Sequence, residues 1–214
     1  MEITKGRFIA FEGGEGSGKS SAISIVTKAI AQAGYEVVQT REPGGTPGAE
    51  LIRSLIVQEH TGVDYDGVTN ALLFAAARRD HVENVIRPAI EKGAWVVSDR
   101  YVLSTIAYQG AGEGLDPEFI STLHQMTTGG LYPDLTIIMD VDPNEGLARS
   151  NRRLASEASA ESRFEAYEID FHKRIREALL AYALSPSRII DANRPIGEVS
   201  QSVENLIAEY LHQN

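Results

Sequence analysis

The stretch Gly13-Gly14-Glu15-Gly16-Ser17-Gly18-Lys19-Ser20 decides how this chain is read. It fits G-x-x-x-x-G-K-S/T, the pattern of a phosphate-binding loop. An apolar run, Phe8-Ile9-Ala10-Phe11, precedes it, and Ile23, Val26 and Ile30 follow at helical spacing. That is the strand–loop–helix setting the pattern needs. The glycines let consecutive backbone N–H groups turn inward around phosphate oxygens. The helix opening there aims its partly positive N-terminus at the same anion. Lys19 is placed for the β- and γ-phosphates and the Ser20 hydroxyl for a Mg²⁺ ion. Gly13 through Ser21 are therefore the candidate residues for binding a nucleoside triphosphate. The alternative, a chance glycine-rich turn, arises in about 1% of chains this long, and the flanking strand and helix make it rarer still.

Around this loop the composition sets limits. The chain has 214 residues, 43% of them hydrophobic, which favours one domain with a sizeable core. Its 20 Lys+Arg against 30 Asp+Glu give a net charge of -10. Such a chain is a poor non-specific partner for a nucleic-acid polymer or an anionic membrane, so any phosphate must meet a local cluster of cations. Cysteine is absent, which removes disulfides and thiolate metal sites. No apolar run approaches the ~20 residues of a membrane span, and residues Met1 to Lys5 lack a signal-peptide core. The expectation is a cytoplasmic protein.

Five apolar runs read as buried parallel strands: Phe8 to Phe11, Tyr35 to Gln39, Ala94 to Ser98, Leu135 to Met139 and Arg188 to Ile190. Helical segments alternate with them, which predicts right-handed crossovers and an α/β fold. Gly34 reads as the stop of the first helix. Thr69 to Ile90 reads as one long helix with Pro88 near its end, and the tail from Pro195 as an amphipathic closing helix. Arg149 to Arg163 departs in composition, being polar and rich in Ser, Ala and Glu with arginines at its flanks. A solvated helix end is the plain reading of such a run, and a mobile lid carrying arginine over a nucleotide is the alternative.

Further candidates lie where strands end, since the carboxyl edge of an open α/β sheet faces the ligand crevice. Asp99 follows the third strand and is placed for Mg²⁺-bound water, and Arg100 for a bidentate grip on phosphate; the plain reading is an Asp–Arg pair capping the next helix. Thr40-Arg41-Glu42-Pro43-Gly44-Gly45-Thr46 follows the second strand, with Arg41 a further anion ligand or an arginine facing water. Phe74 and Arg78 share a helix face and suit a base, by stacking and by bonding an exocyclic oxygen. Their plain reading is a core Phe beside a surface Arg. Thr105, Tyr108 and Gln109 add hydroxyl and amide groups just after Arg100.

These stretches, in this order, resemble the thymidylate kinase family in its bacterial type. The resemblance rests on Phe11-Glu12-Gly13 with the phosphate loop, Thr40 to Thr46, Phe74 to Arg78, Asp99-Arg100-Tyr101, Ala107-Tyr108-Gln109-Gly110 and Tyr132 to Thr136. It runs essentially the whole length. It implies a P-loop nucleoside-monophosphate-kinase fold over residues 1–214, with a five-stranded parallel sheet flanked by helices and a lid at about 149–163. It implies the reaction ATP + dTMP ⇌ ADP + dTDP with Mg²⁺, on the route to dTTP, and a homodimer. In that pattern Phe74 stacks on thymine, Arg78 bonds its O4 and Thr105 its edge, and Tyr108 crowds the 2′ position. Arg41 and Arg100 hold the acceptor phosphate, Glu15 lies by the acceptor sugar and phosphate, and Asp191 to Arg194 pass near adenine. The nearest rival is a kinase for another nucleoside monophosphate or a deoxynucleoside, and the more distant one a non-catalytic ATP-binding switch.

The family supplies its catalytic arginine either from within the phosphate loop or from the lid. Here the variable loop positions are Gly14, Glu15, Gly16 and Ser17, so the lid must supply it. Arg149, Arg152 and Arg153 are the candidates, with Arg153 favoured by register and Arg149 next. The lid is longer than is usual in the family by the run Ala155 to Glu161, and Ser162-Arg163-Phe164-Glu165 departs from the family's Asp-Arg pattern.

Overall fold

A computed structural model describes residues 6–57, 65–154, 167–183 and 186–213. The expected lid run at 155–163 lies outside the described residues. Five strands form one parallel sheet: β1 (Phe8–Glu12), β2 (Val37–Arg41), β3 (Trp95–Asp99), β4 (Leu135–Asp140) and β5 (Ser187–Asp191). Their order is β2-β3-β1-β4-β5, so the strand leading into the phosphate loop is central. Helices α1 (Lys19–Gln32), α2 (Pro47–Val57), α3 (Gly67–His81), α4 (Arg87–Glu91), α5 (Val102–Thr105), α6 (Pro117–Thr128), α7 (Pro143–Leu154), α8 (Ile169–Ala181) and α9 (Ile196–Gln213) connect and cover the strands. Among the described residues, no helix is long and apolar enough to cross a membrane.

The β1 side chains alternate across the sheet, as a strand's must. Ile9 and Phe11 join Ile23, Val26 and Ile30 of α1 and Val203 and Ile207 of α9 in one core. Phe8 and Ala10 face Val82, Ile86 and Tyr101 on the other side. A second core on that side packs Ile138 against Leu103, Phe171 and Ile175. Burying each such side chain is worth about 1.5–3 kcal/mol, so both faces of the central strand hold the sheet in place. The outer strands differ from the expectation of full burial: Ile189 of β5 is 53% exposed, and β2 is only half-buried. An edge strand has one hydrogen-bonded neighbour and incomplete cover.

Local boundaries follow local chemistry. Gly34 at φ 91 takes the left-handed position after α1, as its sequence position predicts. The long helix expected at Thr69 to Ile90 begins two residues earlier, capped by the Asp66 carboxylate accepting from Thr69 N at 2.7 Å. It is also interrupted: Val82–Ile86 is a π-helical turn before α4. Pro88 has no N–H for the Asn84 carbonyl and crowds it, which the wider turn relieves.

Register sets the site. Phe11 and Arg41 both pair with Asp99, and Glu12 pairs with Ile138. The carboxyl ends of β1, β2 and β3 therefore stop at one level, and the segments leaving them converge.

Candidate active site

The phosphate loop leaves β1 and turns into α1 through Gly13, Gly16 and Gly18 at positive φ of 152°, 63° and 86°. Lys19 curls back over the loop, its Nζ donating to the Gly13 carbonyl at 2.9 Å and the Gly14 carbonyl at 3.0 Å. The ammonium is buried at 8% exposure, and burial and then Arg100 pull its pKa below that of an ordinary lysine. Gly16 also decides how α7 docks. A Cβ at Gly16 would meet the Gly146 carbonyl oxygen at 2.0 Å, and one at Gly146 would meet the Glu15 carbonyl oxygen at 2.4 Å. The start of α7 thus lies directly on the loop through two glycines. No side chain fits at position 16 without moving that helix, so an arginine there is incompatible with this docking of α7.

Arg100 follows β3 in a left-handed conformation, φ 68, the only non-glycine residue so placed among those described. Such a backbone costs on the order of 1–3 kcal/mol and persists only where its surroundings hold it. Here Arg100 N donates to the Phe11 carbonyl at 2.8 Å, and Ser98 Oγ donates to the Arg100 carbonyl at 2.8 Å. The guanidinium reaches back to the phosphate loop. Its Nη2 donates to Glu15 Oε1 at 2.7 Å, and its Nη1 donates to the Gly13 carbonyl at 3.1 Å and to Ser104 Oγ at 3.2 Å. Tyr108 Oη donates to the same Glu15 oxygen at 2.8 Å, and its ring lies 5.0 Å from the guanidinium carbon. Burial alone would raise the Glu15 carboxyl, but Arg100 and Lys19 outweigh it and hold the pKa at about 2.

Glu12 acquires a role that its place at the end of an apolar strand did not signal. It is fully buried, with Oε1 accepting from Tyr101 N at 2.9 Å and Ser104 N at 3.2 Å, and Oε2 from Ser104 Oγ at 2.5 Å. Burial pushes its carboxyl up to about 7 against these donors and the nearby Arg100. Glu12 caps α5 from another strand, whereas Asp99 and Arg100 do not cap it. Asp99 Oδ1 is instead buried without a hydrogen-bond partner.

A second group of lining side chains comes from α3 and the π-helical segment Ile106–Gly112, an irregularity common at functional sites. Arg78 is buried at 4% exposure rather than lying on the surface. Its Nε donates to Glu42 Oε2 at 2.7 Å and its Nη2 to Thr105 Oγ1 at 2.8 Å. Burial raises the Glu42 carboxyl, and Arg78 and His81 more than reverse this, leaving it below the usual range. The Glu42–Pro43 peptide bond is cis. Arg41 is more open and pairs with Glu50 at 3.1 Å.

One cavity of about 510 Å³ joins these groups. It is lined by the loop from Glu15 to Ser21, by Arg41, Phe74, Arg78, Asp99 and Arg100, by Thr105, Tyr108 and Gln109, and by Arg149 and Arg153 of α7. Gly13 and Gly14 are not among its lining residues and hold Lys19 through their carbonyls. Arg53 and Val57 of α2 also line it, and no motif pointed to them. Arg149 and Arg153 are one turn apart and both line the cavity, whereas Arg152 does not line it and donates to its own helix at the Ala148 carbonyl. Arg149 Nη1 donates to the Ala192 carbonyl at 2.9 Å, tying α7 to the segment after β5.

A central strand entering a phosphate loop, a carboxylate and an arginine at the next strand's end, and one cavity lined by that loop together with Phe74 and Arg78 are the features of a P-loop phosphotransferase. The family model for thymidylate kinase matches residues 11–203. Similar chains include the thymidylate kinases of Cereibacter sphaeroides, 46% identical over 214 residues covering 98% of this chain and 97% of that one, and of Magnetococcus marinus, 45% identical over 202 residues covering 93% and 94%. That of Nitratidesulfovibrio vulgaris is 44% identical over 209 residues, covering 95% and 97%. This chain belongs to the thymidylate kinase family.

Proposed function

We infer that this chain is an ATP-dependent nucleoside monophosphate kinase whose reaction is ATP + dTMP ⇌ ADP + dTDP. The observation that carries the reading is that one cavity is lined both by the phosphate loop and by a buried, donor-only Arg78. The loop amides and Lys19 hold the donor phosphates. Phe74 offers a stacking face, Arg78 and Thr105 address the base, and Gln109 closes that pocket. Arg41 and Arg100 hold the acceptor phosphate, and Tyr108, fixed by its bond to Glu15, stands at the sugar. Among the α7 arginines, we assign the transferring phosphoryl group to Arg153, with Arg149 the second candidate, because both face the cavity.

Transfer is in line, with no covalent enzyme intermediate. Charge spreads over the moving group's oxygens, and the buried cations matched to it need no reorganisation during the step. Ser20 at the loop and the unpartnered Asp99 Oδ1 suit a hydrated Mg²⁺, a hard ion that keeps several waters. When bound, that ion supplies charge neutralisation between donor and acceptor phosphates.

The apolar side chains Leu51 and Leu55 of α2, Val68 and Leu72 of α3 and Met126 of α6 are exposed at 43% or more. With α2 against α3 and α3 against α6, they suit the homodimer interface we propose for a single domain of residues 1–214. An acidic chain of this kind acting on small nucleotides fits a cytoplasmic location. Chromatography of ATP, Mg²⁺ and dTMP incubated with the protein should show dTDP, and Lys19→Ala should abolish it. A folded wild-type protein that forms no dTDP overturns the reading.

A further inference from the structure

Behind the acceptor pocket lies a buried polar relay that ends on Arg78 and Thr105, the two residues assigned to the base. His81, with 0% exposure, ends α3 one turn after Arg78. Its Nδ1 lies 2.9 Å from Glu42 Oε1, and its Nε2 lies 2.7 Å from Thr40 Oγ1. A carboxylate only accepts, so the Nδ1–H donates to Glu42, while Nε2 shares the second hydrogen bond with the Thr40 hydroxyl. The other Glu42 oxygen accepts from Arg78 Nε at 2.7 Å. The order is therefore Thr40, His81, Glu42, Arg78, Thr105, each link a bond of 2.9 Å or less.

The surroundings keep this relay rigid. A Cβ at Gly45 would meet His81 Nε2 at 2.7 Å and Thr40 Oγ1 at 2.6 Å, so Gly45 seals the bond between them. Next to His81, Asp80 accepts a short bond from Thr46 Oγ1, which in turn caps α2 by accepting from Ala49 N at 2.9 Å. The loop from Thr40 to Thr46 is thus pinned to the end of α3 at two successive residues. That loop carries Arg41, and α3 carries Arg78.

We propose that His81 is a positioning residue for acceptor specificity: through Glu42 it locks the plane of Arg78, and through Thr40 it sets the loop bearing Arg41. The proposal rests on the dTMP-kinase reading above. Its chemistry is direct. Arg78 has only donors, and two of its nitrogens are held by Glu42 and Thr105. A locked donor welcomes the O4 of thymine and opposes the amino group at C4 of cytosine, because two donors cannot satisfy each other. A guanidinium free to turn discriminates less. Leaving Glu42 with one partner fewer in a buried site also weakens its hold on Arg78.

The test compares His81→Leu, His81→Asn and Thr40→Val with the wild type, measuring kcat and KM for ATP, dTMP and dCMP together with thermal melting. His81→Leu should raise KM for dTMP by about tenfold, leave KM for ATP within about twofold, and lower the dTMP-over-dCMP preference by about tenfold, the scale of one or two buried hydrogen bonds. His81→Asn, whose amide can donate where Nδ1 did, should restore most of that preference. Thr40→Val keeps the imidazole in place and should lower the preference by about threefold, so it carries the test if His81→Leu does not fold. A folded His81→Leu or Thr40→Val with a lowered melting temperature but unchanged preference makes His81 purely structural and overturns the proposal. A wild type that turns over neither dTMP nor dCMP overturns the underlying reading instead.

Discussion

Glu15→Gln isolates the charge at the centre of the site. The substitution keeps the side chain's size and one oxygen for Tyr108, and removes the ion pair with Arg100 at 2.7 Å. Both partners are largely buried, at 18% and 15% exposure, so solvent screens the pair little. The carboxyl goes from 4.5 in an ordinary setting to about 2 here. That depression corresponds to about 3 kcal/mol of stability at neutral pH. For a group with a depressed pKa, the contribution is present above 4.5 and disappears as pH falls toward 2. Urea unfolding of wild type and Glu15→Gln at pH 7 should show midpoints separated by about 1 M, and the gap should narrow steadily below pH 4.5. Equal midpoints at pH 7, or a gap indifferent to acid, would refute the claim that Arg100 and Lys19 together stabilise a Glu15 carboxylate.

Glu12 has the opposite sign. Its pKa of about 7 lies above the ordinary 4.5, so the stability it contributes is full below 4.5 and lost as pH rises through 7. The stability of Glu12→Gln should therefore vary less than that of wild type between pH 5 and 8; parallel profiles would contradict the assignment. Arg153→Ala should lower kcat by about 10³ or more, on the scale of other arginines that meet a transferring phosphoryl group. Arg152→Ala should change kcat less than about twofold because it does not line the cavity, and the reverse ranking in steady-state kinetics would shift the catalytic role. Tyr108→Ala should relax the preference for dTMP over its ribose analogue; an unchanged ratio of kcat/KM values removes Tyr108 from sugar selection.

The central strand, the phosphate loop and the alternation of strands with helices were legible because each is written in neighbouring residues. Spacing alone located Lys19, and strand ends located Arg41, Asp99 and Arg100. What escaped was long-range polar pairing. Arg78 lies on a helix whose pattern allowed a surface arginine, and it is buried because Glu42, 36 residues away, neutralises it. Glu12 ends an apolar strand, and its partners at Tyr101 and Ser104 are 89 and 92 residues distant. Periodicity carries no trace of either pairing. Nothing in the local sequence marked Gly146, although it is where α7 rests on the phosphate loop. The half-exposed β2 and β5 were equally hidden, since an apolar run does not tell whether its strand lies at an edge.

The most direct measurement sets dTMP, dUMP, dCMP, UMP and AMP against one another as acceptors, with ATP and Mg²⁺, and compares their kcat/KM values. The account predicts that dTMP leads by at least about tenfold over dCMP and over UMP, through Arg78 at the base and Tyr108 at the sugar. Preferred turnover of any other acceptor, or equal turnover of all, would contradict it.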